Sequence, residues 1–240
     1  MRDEGCAMKA LVKLAGTVDV GVLARGRTSG PLVPTYGLGW LAVWLVLLVM
    51  VEASPVIDDV ALEKKFTEGL LAPGVEGLSG ARAIKAVADA EGKTVAVEAA
   101  PPAGEFDYET VCRSVVVVGS VEYCPDCKAW HMGAVSSGWI AGPRGQVVTN
   151  YHVLEDKEAG ELGVMTFDGT VYPVRKVLAS DREGDAAILL IEADDAPLPG
   201  LPLASGAKTG EAIHVVGHPD GRFYTLTEGI VSRVFTEQTS

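Results

Sequence analysis

From Ser114 onward the chain is cut into short runs rich in Val, Ile and Thr, with turn signals about every ten residues and no long amphipathic helix between them. Ser114–Ser120, Ser136–Ala141, Gln146–Thr149, Leu162–Phe167, Thr170–Val174, Asp185–Ile191, Glu211–Gly217 and Phe223–Thr227 read as strands. Gly142-Pro143-Arg144-Gly145 and Asp168-Gly169 read as hairpin turns. Such a pattern excludes a helical bundle and points to an all-β barrel or sandwich. Pro173 moves its strand toward an edge or a bulge. The 240 residues allow one or two domains, and 48% hydrophobic residues suffice for a core.

One run ends in chemistry. Val147-Val148-Thr149-Asn150-Tyr151-His152-Val153-Leu154 passes from apolar strand to a polar cluster, which places an imidazole at a strand end where a scaffold can aim it. A lone histidine there is ordinarily a strand cap, but its surroundings favour a general base. Before it stands a Gly-rich hairpin; after it, Gly184-Asp185-Ala186-Ala187-Ile188-Leu189-Leu190-Ile191 sets a carboxylate directly ahead of a buried strand. Asp181, Glu183 and Asp194 compete with Asp185 as the partner of His152. Asp185 is preferred because it abuts the strand that would hold it.

These segments, with Ser137-Gly138-Trp139-Ile140, Val215-Val216-Gly217-His218-Pro219-Asp220-Gly221-Arg222 and Thr227-Glu228-Gly229-Ile230-Val231-Ser232, come in an order that resembles the trypsin-like serine peptidases, most closely the HtrA-type (Do-like) bacterial branch. The resemblance runs from about Tyr108 to the C-terminus. It implies a double β-barrel, with the first barrel complete over 107–196 and the second only begun over 197–240. It also implies that His152 is the base and a buried Asp185 its orienting carboxylate, fixing the tautomer that leaves Nε2 toward a nucleophile. His218 stands where the family's Gly-Asn-Pro-x-Gly turn has Asn. The family's nucleophile lies in a Gly-Asn-Ser-Gly-Gly-type segment after the T-E-G-I-V-S strand, and neither Ser232 nor Ser240 has that glycine setting. The expectation is therefore a fragment of an exported serine endopeptidase acting on polypeptides, inactive as it stands. Relatives often carry a PDZ domain, of which no residues are recognised here. The alternative is a catalytically inactive trypsin-like scaffold serving as a binding module.

The alternative draws on Cys124-Pro125-Asp126-Cys127-Lys128-Ala129-Trp130-His131. Cys-x-x-Cys around a proline has the shape of a zinc knuckle, which His131 or Cys112 could complete. A single knuckle is half a motif, and an oxidising compartment favours a Cys124–Cys127 disulfide. No other cofactor is expected. His214 and His218 are four apart, but on strand and turn this spacing does not make a metal pair.

Upstream, residues 1–53 read as a signal peptide or membrane anchor. Leu38–Val51 is an apolar run preceded by Arg25 and Arg27 and followed by Val51-Glu52-Ala53, a cleavage-type pattern. The run is shorter than the roughly twenty residues of a spanning helix, which favours the signal peptide. The long n-region leaves Met8 as an alternative start. In both readings the body faces out of the cytoplasm. Residues 54–106 read as a loosely packed pro-region or spacer, with weak helical patterns at Val60–Phe66 and Ala81–Ala90 broken by glycines, a short strand at Thr94–Glu98, and linker composition at Ala99–Gly104. Asp107 is expected to cap a short helix. The net charge of −12 with no basic cluster argues against nucleic acid.

Overall fold

The computed structural model describes residues 10–12, 56–98, 106–155, 160–193, 197–204 and 206–235. The leader run and the Ala99–Gly104 linker lie outside the described residues. No described helix is long and apolar enough to cross a membrane. By contacts the chain divides into one unit of 1–15 with 57–240 and another of 16–56; of the second, only Val56 is described.

The valine run after Ser114 forms β2 (Val115–Cys124), and its near-unbroken apolarity has a direct cause. Successive side chains of a strand point to opposite faces, and here both faces are buried. Val116 and Val118 join one core cluster with Ile140, Val147, Val164, Val174, Leu189 and Ile191. Val115, Val117 and Val121 join a second cluster on the other face. β2 continues through a hairpin into β3 (Ala129–Gly142), then β4 (Gln146–Thr149), β5 (Leu162–Met165), β6 (Val171–Asp181) and β7 (Ala186–Ile191). The strands close as β2-β3-β4-β7-β6-β5, every pairing antiparallel, with β5 returning to β2. Closure leaves the barrel without a free edge.

Pro173 shows how the proline is accommodated. It pairs with Gly163 of β5, while β7 begins to pair only at Val174, beside a register shift between Val174 and Lys176. The missing N–H therefore falls next to a bulge, as expected, although β6 is not an edge strand. The Asp168-Gly169 turn is one residue longer than a two-residue reversal. Thr166 N–H donates to the Thr170 carbonyl (3.0 Å), and Gly169 at φ 82° turns the chain back.

The segment expected to be a loose spacer is instead part of the core. α1 (Asp59–Leu70), capped by the Asp58 carboxylate on the Ala61 N–H, buries Phe66 and Leu70 in the second cluster. α2 (Gly80–Asp89) buries Ala83 and Val87 in the first. Between them Leu78 is stitched into the barrel: its N–H donates to the Val174 carbonyl (2.8 Å) and its carbonyl accepts from the Leu162 N–H (2.8 Å). The glycines read as breaks have a packing role. A Cβ on Gly69 would stand 2.7 Å from Val171 Cβ, and one on Gly163 would stand 2.6 Å from Leu70 Cδ2, so the two glycines let the helix lie this close to the strands. Thr94–Glu98 forms no strand. The pairing there is a single bridge between Glu91 and Ser180. α3 (Tyr108–Ser114) starts where expected, with the Asp107 carboxylate accepting from the Thr110 N–H (2.8 Å).

A second, three-stranded sheet has the order β1-β8-β9, from β1 (Ala10–Val12), β8 (Ala212–Gly217) and β9 (Thr225–Ile230). β1 falls inside the stretch expected to be leader and pairs with Val216, Val215 and His214. The connection to this sheet runs along the β3–β4 hairpin, where Leu198 N–H donates to the Pro143 carbonyl and Leu201 N–H to the Ile140 carbonyl.

Candidate active site

β4 ends at Thr149, and the Thr149 hydroxyl, fully buried, donates to the Ser137 carbonyl of β3 (3.0 Å). This pins the point at which the chain leaves the sheet. His152 is not on the strand itself but opens a 3-10 turn, His152–Leu154, three residues on. Tyr151 on one side and Leu154 on the other are both buried in the first core cluster, with α2 packed against them. The arginine of Arg182 lies 5.7 Å over the Tyr151 ring and pairs with Glu155 (2.9 Å). With its neighbours anchored inward, the His152 side chain is left facing out.

The β6–β7 turn brings the carboxylate. Asp181 Oδ1 accepts from Gly184 N–H (2.9 Å), so this rival carboxylate shapes the turn and does not meet the histidine. Asp194 lies outside the described residues. Glu91, at the end of α2, accepts from the Ser180 hydroxyl (3.3 Å) and the Arg182 N–H (3.2 Å), tying the same turn to the N-terminal region. Asp185 itself adopts a left-handed conformation, φ 48°, which costs a non-glycine residue about 1–2 kcal/mol and marks a position held by its partners.

Those partners are three N–H groups. His152 Nδ1 lies 2.8 Å from Asp185 Oδ2 and 3.0 Å from Oδ1. The His152 backbone N–H donates to Oδ1 (3.0 Å), and the Asn150 side-chain amide donates to Oδ2 (3.0 Å) and to the Asp185 carbonyl (3.0 Å). Partial burial pushes the Asp185 carboxyl up, but the His152 N–H, its imidazole and the Asn150 amide outweigh that and hold it below the usual aspartate value. An ionised carboxylate only accepts, so Nδ1 carries a proton, and in the neutral ring Nε2 then presents the lone pair. The expected burial of Asp185 is not found: the His152 and Asp185 side chains are 42% and 41% exposed, on the open rim of the barrel. Asn150, which has no role by sequence pattern alone, is the third member of the arrangement. Its only signal was its place two residues before the histidine.

The cysteine segment is elsewhere, at the tip of the β2–β3 hairpin. Cys124 and Cys127 are separate thiols, so the disulfide favoured on compartment grounds is not the arrangement the structure shows. Cys127 Sγ lies 2.8 Å from His131 Nε2, and the ligand atoms of Cys124, Cys127 and His131 all fall within 4.8 Å of one another. The N–H groups of Cys127 and Asp126 hold the Cys124 thiol below its usual value. Cys112 does not join them. It is buried in the second core cluster, where burial pushes its thiol up to about 11. His214 and His218 are also apart in role, the first paired with Glu228 (3.1 Å), the second accepting the Tyr224 N–H at Nδ1 (3.0 Å).

Comparison with known proteins finds similarity over the part of the chain that holds the His–Asp pair. Residues 136–240 match the trypsin-like peptidase domain. The fold is trypsin-like. Homology to serine endoproteases of the DegP and HtrA kind is distant and covers about two fifths of the chain. The chain is 38% identical over 99 residues to a probable periplasmic serine endoprotease DegP-like of Hahella chejuensis, covering 41% of this chain and 20% of that protein. It is 34% identical over 106 residues to the chloroplastic protease Do-like 1 of Arabidopsis thaliana, covering 43% and 24%. The DegP-like protein of Marinomonas sp. is 36% identical over 99 residues, covering 41% and 20%. The chain thus spans about a fifth of the length of the curated relatives it matches. His152 and Asp185 both lie within the matched trypsin-like segment, whereas the cysteine knuckle lies before it.

Proposed function

We propose that His152 and Asp185 are the general base and the orienting carboxylate of an HtrA-type serine endopeptidase that works outside the cytoplasm on polypeptides. The observation that carries this reading is the 2.8 Å contact between His152 Nδ1 and Asp185 Oδ2, with the carboxylate fixed by two further N–H donors. In the reaction a serine hydroxyl attacks the peptide carbonyl while Nε2 of His152 takes its proton. Asp185 stabilises the imidazolium so formed, and the same proton then goes to the leaving amine. Water hydrolyses the acyl-enzyme by the same route. The reaction also needs a serine hydroxyl and oxyanion donors, which the family carries in a Gly-Asn-Ser-Gly-Gly-type segment. The first barrel (107–196) and the second barrel begun over 197–240 belong to this proposal, with the helices of 56–98 a structural part of the first barrel and not a spacer; a leader over the whole of 1–53 does not, because Ala10–Val12 pair with β8.

The test uses the full-length gene product, assayed on an unfolded protein substrate and with an active-site serine probe. Asp185→Asn keeps the shape but presents an amide where the imidazole needs an acceptor, and is expected to lower kcat about 10⁴-fold with little change in KM. His152→Ala should do the same. A histidine variant that keeps its activity, or a full-length gene product with no probe-reactive serine, would overturn the peptidase reading in favour of a binding scaffold.

A further inference from the structure

We propose that Cys124, Cys127 and His131 bind one zinc ion in a tetrahedral site whose fourth position is open to solvent. The register of the hairpin sets this up. Cys124 pairs with Ala129, Tyr123 with Trp130 and Glu122 with His131. Paired residues share a face and neighbours alternate, so Cys124 and His131 stand on one side of the ribbon. Tyr123 and Trp130 stand on the other, where their rings meet edge to face at 5.5 Å and hold the two strands in register.

The loop supplies the third ligand. Lys128 adopts a left-handed conformation, φ 55°, which folds Cys127 back over the hairpin. The Cys127 N–H then points at Cys124 Sγ (3.5 Å), the kind of contact that stabilises negative charge on a thiolate. Zinc–sulfur bonds of about 2.3 Å and a zinc–nitrogen bond of about 2.0 Å at tetrahedral angles put two sulfurs about 3.8 Å apart and a sulfur about 3.5 Å from the nitrogen. The three ligand atoms lie within 4.8 Å of one another, and the 2.8 Å contact of Cys127 Sγ with His131 Nε2 opens by less than about 1 Å to admit the ion. Two thiolates and an imidazole select a borderline-soft ion and reject calcium or magnesium, which require oxygen donors. Glu122 lies on the same face, but its carboxylate packs where a Gly133 Cβ would be and is not in the cluster, which leaves the fourth position to solvent.

The site does not depend on the peptidase reading. The test is metal loading of the purified full chain, reduced and stripped, with one equivalent of zinc and, separately, of cobalt(II). The expected result is one metal per chain after desalting and a cobalt spectrum with thiolate charge-transfer and intense visible bands of a four-coordinate site. Cys127→Ser should weaken binding roughly 100-fold or more and His131→Ala to a lesser degree, while Cys112→Ser leaves it unchanged. Adding azide should shift the cobalt bands, because one position exchanges. The proposal is overturned if the reduced chain holds no metal, if Cys127→Ser binds as tightly as the parent, or if the cobalt spectrum is octahedral. A four-coordinate spectrum that azide does not move would overturn the open position. The cobalt spectrum is read on chains whose circular dichroism matches the parent, so a misfolded variant cannot imitate loss of the site.

Discussion

The barrel and the small sheet are made of similar residues and end up in different physical states. In the barrel every strand is paired on both sides and apolar side chains face core on one or both faces. In β9, almost every residue is exposed, Leu226 and Ile230 among them, and the chain beyond leaves Val234 and Phe235 exposed as well. Among the described residues β9 is paired only with β8. Strand propensity is therefore common to both regions, while closure belongs to one. The consequence is positional: the His152–Asp185 pair sits on the region whose geometry is over-determined, with the anchors Thr149, Tyr151 and Leu154 all in the barrel core or its strands. The small sheet is joined to that region through a buried seam of Val216, His218, Phe223 and Tyr224. In the seam His218 N–H donates to Ser137 Oγ (2.9 Å) and Tyr108 Oη donates to the Tyr224 carbonyl (2.6 Å).

The comparison is broken most forcefully at Phe66. Phe66 is fully buried in the cluster that also holds Val117 and Met165 of the barrel and Phe223 and Tyr224 of the seam. Phe66→Ala should cost about 3–5 kcal/mol in urea unfolding, through lost burial and the cavity it leaves. A loosely packed spacer would show a change within about 0.5 kcal/mol, so the measurement decides whether the N-terminal helices are core.

The seam itself can be loosened with acid. His218 is 2% exposed; desolvation lowers its pKa from 6.5 to about 4, and its Nε2 faces the Val116 carbonyl without meeting it at full hydrogen-bond geometry. Its Nδ1 accepts the Tyr224 N–H, which requires the neutral ring. Below the unfolded value of 6.5 the unfolded chain binds a proton that the folded one refuses, so stability falls as pH drops from 6.5 toward 4. The loss attributable to this group amounts to about 3 kcal/mol. His218→Asn should flatten that slope. If the slope is the same in parent and variant, the seam does not depend on a neutral His218.

The barrel was legible because a closed sheet makes its own pattern: Val115–Val118 and Ala186–Ile191 carry their burial in their sequence. The helices were not. Phe66 and Leu70, and Ala83 and Val87, do fall at the i, i+4 spacing of a helix face, but Gly69 reads as a break until Val171 is known to press against it. At the site, the 33-residue separation of His152 and Asp185 is silent about distance, and the partner was chosen by its strand and by resemblance. Their exposure was misjudged because burial of a rim depends on what covers it. The cysteine segment needed hairpin register. Only with Glu122 opposite His131 does a histidine four residues past Cys127 come back to meet it.

The smallest effect sharpens the contrast from the other side. If β9 owes its order to pairing with β8 and not to burial of its own side chains, then exposed apolar positions there carry almost no folding energy. Leu226 pairs with Val216 in register but remains exposed. Leu226→Thr introduces a β-branched residue suited to a strand position and removes partly exposed apolar surface, so the unfolding midpoint should move by no more than about 0.5 kcal/mol in equivalent free energy. What should change is association. Among the described residues β9 has one unpaired side, and such a side with apolar side chains is a template for a second chain, so light scattering of this 240-residue chain at high concentration should show less self-association in Leu226→Thr with Ile230→Thr than in the parent. A stability loss comparable to that of Phe66→Ala would mean that β9 is as much core as the barrel, and the contrast between closed and open sheet would not hold.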